Sequence, residues 1–220
     1  MTPRKRFDQE LEHLRQDILQ MAEWVEDGYD CLFDTLKKRD REIMKRFVRH
    51  DRVIEDMQRN IESQCLSLFT RQTPVAGDLR TVSAALKIVT DLERIGNHLS
   101  DMAELLVRID MEDLSGYSSW FPRMIDETRA LIEKAATAFV NRNMDMGKEA
   151  IEADDGIDAC FNQVKEDLVA VLRKGTMDAD RCIDVLMIAK YLEKIGDHGV
   201  NIGQWEIFRE TGTIDEQRLL

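Results

Sequence analysis

Near the start of the chain, apolar residues recur at steps of three and four: Phe7, Leu11, Leu14, Ile18, Met21 and Val25, continued by Leu32 and Leu36. That period makes one helix face apolar, so a long amphipathic helix is expected up to the polar break Lys37-Lys38-Arg39-Asp40. Asp40 is a candidate N-cap, with Glu42 in the first turn, for a second helix whose stripe is Phe47, Ile54, Ile61 and Leu68, each seven apart. Thr73 as N-cap and Pro74 at the first helical position open a third helix, because a proline there forfeits no hydrogen bond. Its stripe is Ile88, Leu92, Ile95, Leu99, Met102 and Leu106. A polar stretch around Gly116 follows, and Pro122 marks the early part of a fourth helix through Ile125, Leu131 and Phe139. Asn143 caps a fifth, which ends at Gly175. Thr176-Met177-Asp178 starts a sixth, carrying Ile188, Leu192, Ile195 and Ile202 toward Trp205.

The second three of these helices repeat the first three. Leu92-Glu93-Arg94-Ile95-Gly96-Asn97-His98 matches Leu192-Glu193-Lys194-Ile195-Gly196-Asp197-His198 at an offset of 100. Asp51-x-x-Ile54-Glu55 matches Asp154-x-x-Ile157-Asp158 at 103, as does Leu36-x-x-Arg39-Asp40 against Phe139-x-x-Arg142-Asn143. The difference of three falls in the turn between the second and third helix of each unit, where insertions are tolerated. The expected fold is all-α, two tandem three-helix bundles of six long helices, residues 1–112 and 113–220, with the boundary between Asp110 and Ser118.

Composition narrows the partners. The chain has 220 residues with three Pro and eleven Gly, too few turn-formers for many short strands. With 31 basic against 43 acidic residues the formal charge is −12, which argues against nucleic acid and anionic membrane surfaces as partners. The basic start Met1-Thr2-Pro3-Arg4-Lys5-Arg6 leads into amphipathic sequence with no apolar core behind it, and no later run is long enough to span a bilayer, so a cytoplasmic protein without membrane insertion is expected. Cys31, Cys65, Cys160 and Cys182 form no Cys-x-x-Cys pair and read as buried free thiols in a reducing compartment.

The candidate chemistry lies in the repeated acidic residues. Positions four apart share a helix face, so Glu93 with Asn97, and Glu193 with Asp197, each aim two oxygen donors to one side. Glu93 falls in the column of Leu79 and Leu86, and Glu193 in that of Leu186, Val200 and Ile207, at the edge of an apolar arc. The second helix of each unit adds Asp51 with Glu55, and Asp154 with Asp158. Carboxylates gathered this way repel one another unless a proton or metal intervenes, and an all-oxygen donor set favours hard ions such as Mg, Ca, Mn or ferric Fe over Zn. The bland alternative is a solvated acidic face. His98 and His198 admit three readings: ligand, phosphorylated histidine or helix packing. Each lies roughly 80° from the Ile88-type stripe, beside it rather than on the acidic edge, which favours packing. Gly96 and Gly196 weaken a helix unless a close contact offsets the cost, and Gly199 and Gly203 add to this in the second unit only.

These residues resemble the PhoU family of bacterial phosphate-signalling regulators over nearly the whole chain. The resemblance rests on Phe7-Asp8-x-x-Leu11-x-x-Leu14, on Gln72-Thr73-Pro74-Val75-Ala76-Gly77-Asp78-Leu79-Arg80, on Asp91 through His98, and on Tyr191 through His198 followed by Asn201-Ile202. It implies a non-enzymatic homodimer that represses the phosphate response, working with the ATPase of the phosphate ABC transporter and a sensor histidine kinase. It also implies metal clusters held by acidic motifs: Glu193, Asp197, Asp154 and Asp158 in the second unit, and Glu93, Asp51 and Glu55 in the first. Fe, Mn, Mg, Ca and Zn are the candidate ions. Asn97 stands where the family pattern has Asp, which weakens the first site unless Asp101, one turn on, compensates; Asn201 occupies the matching place in the second unit. The alternatives are a metal-independent helical scaffold or a histidine phosphotransfer module. A di-iron carboxylate enzyme needs two Glu-x-x-His pairs, and the chain has that spacing only at Glu10 and His13.

Overall fold

A computed structural model of the chain describes residues 3–40, 42, 51–71, 75–109, 111–175, 178–214 and 217–218. Six long helices are α1 (Pro3–Lys38), α2 (Asp51–Arg71), α3 (Ala76–Leu106), α5 (Phe121–Asn141), α6 (Met144–Lys174) and α7 (Ala179–Thr211). A short helix, α4 (Met111–Tyr117), occupies the polar stretch around Gly116, where no helix is expected from the sequence. Its Leu114 and Tyr117 are buried, so packing rather than length stabilises it. A minimal antiparallel hairpin pairs β1 (Thr213–Ile214) with β2 (Gln217–Arg218).

Helices α1, α2 and α3 form one bundle and α5, α6 and α7 the other. The expected stripes are their cores. Phe7, Leu14, Ile18, Met21, Val25, Leu32 and Leu36 are buried in α1; Ile54, Ile61 and Leu68 in α2; and the full Ile88 to Leu106 stripe in α3. Ile188, Leu192, Ile195 and Ile202 do the same in α7. Phe47 lies outside the described residues. The bundles are not separate bodies: α3 packs along α7, α1 touches α5, and one continuous core runs through both. Buried Tyr29 of α1 donates its hydroxyl to the Ile125 carbonyl of α5 at 2.7 Å, and Arg129 of α5 grips Asp30 with two bonds of 2.8 and 3.0 Å.

Most helix ends follow the sequence. The Asn143 carboxamide accepts from the amides of Asp145 and Met146, Asp178 accepts from Asp180, and Gly175 closes α6 at φ 63°. Arg39 and Arg142 both take the left-handed conformation, φ 57° and 53°, at matching places in the two units, as a duplicated design requires. The Asp40 carboxylate accepts from the Glu42 amide, and residues 43–50 lie outside the description. The start of α3 differs from expectation. Val75 is extended at the N-cap position, so the helix begins at Ala76, and Asp78 accepts from the Val75 amide at 3.2 Å. Asp78 in the first turn does the capping assigned to Thr73, which with Gln72 and Pro74 lies outside the described residues. Three cysteines are buried as expected, whereas Cys31 is exposed.

Candidate functional site

In the second unit, α6 and α7 bring the four acidic residues of the expected set together. Asp154 and Asp158 lie one turn apart on α6, facing Glu193 and Asp197 on α7. The approach depends on Gly196, since a Cβ there would sit 2.9 Å from Asp154 Oδ1 and 3.2 Å from Ile157. Burial first, and then the charges of Asp158, Asp197 and Glu193, push the Asp154 carboxyl up to about 6. Burial together with Glu193 and Asp197 raises Asp158 in the same direction.

Two oxygens of this group are buried without a hydrogen-bond partner, Asp154 Oδ1 and Glu193 Oε2. Lys194 Nζ is 3.4 Å from Glu193 Oε2, close enough to attract the charge but outside the hydrogen bonds that Glu193 makes elsewhere. Lysines cap the rest: Lys190 donates to Glu193 Oε1 at 2.6 Å, and Lys194 pairs with Asp197. Among the described residues, no three acidic, histidine or cysteine side chains converge closely enough to hold an ion as they stand. The donor set nevertheless fits a hard cation. It is all oxygen, its four carboxyl groups share two lysines, and Asp154 Oδ1 is buried with no hydrogen-bond partner.

The first unit is built differently. Asn97 donates to Glu93 Oε1 at 2.7 Å, so the amide at the usual Asp position quenches the carboxylate instead of adding a charge. Arg94 lies 3.7 Å from Glu93 Oε2. Glu55 turns to Arg59 at 3.4 Å, and the Asp51 side chain lies outside the described residues. Asp101 is half-exposed, 3.9 Å from His98 Nδ1, on the side of α3 that meets α7. At Gly96 the neighbour is Ile54 Cδ1, an apolar tip where the second unit has a carboxylate.

His98 and His198 meet across the α3–α7 seam, ring centroids 5.5 Å apart, with Tyr191 stacked on His98 at the same distance. His198 Nδ1 is 2.8 Å from Asp91 Oδ1, which also accepts from Asn201 at 3.2 Å. His98 has no such partner. Its Nδ1 is buried and unbonded, and burial, with the charge of His198 behind it, lowers its pKa to about 4. The packing reading of the histidines describes this seam. Glu10 bonds to Arg6 at the surface and His13 is exposed, so that spacing belongs to a solvated face.

A sequence profile described as the PhoU domain matches residues 18–106 and again 121–205. The chain belongs to the PhoU family. It is 32% identical over 211 residues to a phosphate-specific transport system accessory protein PhoU homolog from Clostridium acetobutylicum, covering 95% of this chain and 96% of that one. A PhoU homolog from Methanothermobacter thermautotrophicus is 30% identical over 210 residues, again covering 95% and 96%. The crystal structure of PhoU from Pseudomonas aeruginosa superposes with a TM-score of 0.87 at 28% identity, over 94% of this chain and all of that one. PhoU from Streptococcus pneumoniae, at 23% identity, shares the fold with the same score. Each matched PhoU segment holds one acidic signature, Glu93 to His98 or Glu193 to His198. Among the described residues no helix is long and apolar enough to cross a membrane.

Three functional groups escaped the sequence reading. Lys190 and Lys194 sit three residues before the carboxylates they cap, a spacing visible but common on any helix. Asp91 has Tyr191 as its counterpart, and this asymmetry in the repeat was the one signal of its role in the seam.

Proposed function

We propose that this PhoU-family chain is a regulatory accessory protein of phosphate transport. In this reading it is a non-catalytic, dimeric cytoplasmic adaptor between the transporter's ATPase and a sensor histidine kinase, and its second-unit acidic face is tuned by a bound hard cation. The carrying observation is the gathering of Asp154, Asp158, Glu193 and Asp197 with two buried oxygens left unbonded. Support for the transport role comes from the relatives, which are named accessory proteins of phosphate-specific transport. A cation displacing Lys190 and Lys194 would free two ammonium groups and neutralise the carboxylates, changing the charge the face offers a partner.

The lysine caps favour a second reading, in which the face is neutralised internally and the scaffold needs no metal. Pull-down of the transporter ATPase and the kinase by wild-type protein and by Glu193→Ala/Asp197→Ala, in high and low phosphate, tests the adaptor. Capture of both partners that shifts with phosphate is expected, and altered capture by the variant assigns the tuning to the acidic face. Failure of the wild type to capture either partner in both conditions contradicts the adaptor role.

A further inference from the structure

Where the start of α3 meets the C-terminal end of α7 and the first turns of α1, a cleft of about 340 Å³ opens between the two bundles. Its lining includes Arg4, Arg80, Arg142 and Arg209 against Asp8, Glu12, Asp78 and Glu210. The count balances, but the pairing does not. Asp78 is held by Arg4 with bonds of 2.6 and 3.2 Å, and Asp8 by the same guanidinium at 2.9 Å. Glu12 is bound by Arg15 and by Gln16, and Glu210 by Arg209 at 2.8 Å. Arg209 is further locked onto buried Glu206 by bonds of 2.8 and 2.5 Å.

Two guanidinium groups are left over. Arg80 uses only its Nε, donating to the Arg209 carbonyl at 3.1 Å, so its terminal nitrogens carry no carboxylate among the described residues. The Arg142 guanidinium has no hydrogen-bond or ion-pair partner among the described residues, although its charge is felt by Glu12 and Glu206. Gly77, also in the lining, leaves open space where a side chain would stand. Arg80 is half-buried and Arg142 exposed, and both line this one polar cleft in a chain of formal charge −12. Both guanidinium groups line one cleft, a planar N–H fork suits a tetrahedral oxyanion, and each acid of the cleft already has another basic partner.

We propose that this cleft binds a phosphoryl oxyanion, either free phosphate or the phosphoryl group of a small metabolite, between Arg80 and Arg142. The site lies about 20 Å along α7 from the acidic cluster, and the inference depends on neither the metal nor the adaptor reading. Calorimetric titration of the full chain in phosphate-free, chelator-treated buffer, with inorganic phosphate in one arm and ATP in another, tests it. Saturable binding of one of them below about 1 mM is expected. Asparagine tolerates the left-handed backbone at 142, so Arg142→Asn keeps the fold, and it should weaken binding about tenfold or more, as should Arg80→Gln. Glu193→Ala/Asp197→Ala should bind like wild type. Phosphate saturation assigns the free ion as ligand, and saturation by ATP alone assigns a phosphorylated metabolite. Absence of binding in both arms, binding unchanged in Arg142→Asn, or loss confined to the acidic-face variant overturns the proposal.

Discussion

Asp154 is pressed into the groove that Gly196 leaves open, with one oxygen unbonded and three further carboxylates nearby. Its carboxyl holds a proton up to about 6 in the fold, against an ordinary value of 3.8. A raised carboxyl stabilises the fold fully below 3.8, and that contribution is lost as pH rises through about 6. His98 works in the opposite sense: its pKa falls from 6.5 to about 4 in the fold, so its contribution is present above 6.5 and lost as pH drops toward 4. The two trends oppose each other in wild-type protein. Removing one exposes the other. In chelator, Asp154→Asn is expected to raise stability by about 1–2 kcal/mol at pH 7, less than full linkage because the site is only part-buried. The gain should vanish near pH 4, as thermal melts across the range would show. A gain that is equal at both pH values contradicts the raised carboxyl.

At the level of elements, the 3.6-residue periods place the buried stripes of α1, α3 and α7 correctly, because one buried face per helix is all that such a pattern encodes. The caps at Asn143 and Asp178 were legible for the same local reason. What was not legible depended on contacts remote in sequence. Arg4 bonds to Asp78 across 74 residues and helps fix the start of α3, and α4 survives on the burial of Leu114 and Tyr117. The glycines were readable as contacts but not as which contacts. A Cβ on Gly203 would lie 2.7 Å from the Gly147 carbonyl oxygen, backbone against backbone between α6 and α7, with no side chain to yield. Gly203→Ala is therefore expected to cost about 1–3 kcal/mol in chemical denaturation. Gly116→Ala, in a helix with open space around it, should instead stabilise by about 0.5–1 kcal/mol. Similar effects at both glycines would show that the α6–α7 contact is looser than described.

Over the whole molecule, the repeat established that there are two units, while their mutual packing stayed hidden. The α3–α7 seam is built from residues beside each stripe, including Asp91, His98, Tyr191 and His198, and no single-helix pattern tells which polar neighbours will face each other. The Glu206–Arg209 pair has the common three-residue spacing of one helix, but its burial was hidden too, since the arginine lies against Phe139 while its carbonyl accepts from Arg80. Arg209→Met strands Glu206 in a site where burial already raises its pKa, and is expected to cost about 3–5 kcal/mol. Adding Glu206→Gln should restore much of that stability in a double-mutant cycle, and a cycle with no coupling would contradict a stabilising Glu206–Arg209 ion pair.

The acidic cluster was the part of the site most legible in sequence: spacing four apart puts Asp154 with Asp158, and Glu193 with Asp197, on one edge of each helix, and the packing of α6 on α7 then turns those edges toward each other. Its lysine caps, which come from the same helix as Glu193 and Asp197, decide whether a cation or an ammonium neutralises it. Metal analysis by mass spectrometry of tag-free protein, after loading with Mn, Fe, Mg and Ca and removal of unbound ions, separates these outcomes. Wild-type protein is expected to retain a hard cation, and Glu193→Ala/Asp197→Ala to lose it while remaining folded. A wild type without metal, or a stoichiometry unchanged in the double variant, contradicts the second-unit metal centre.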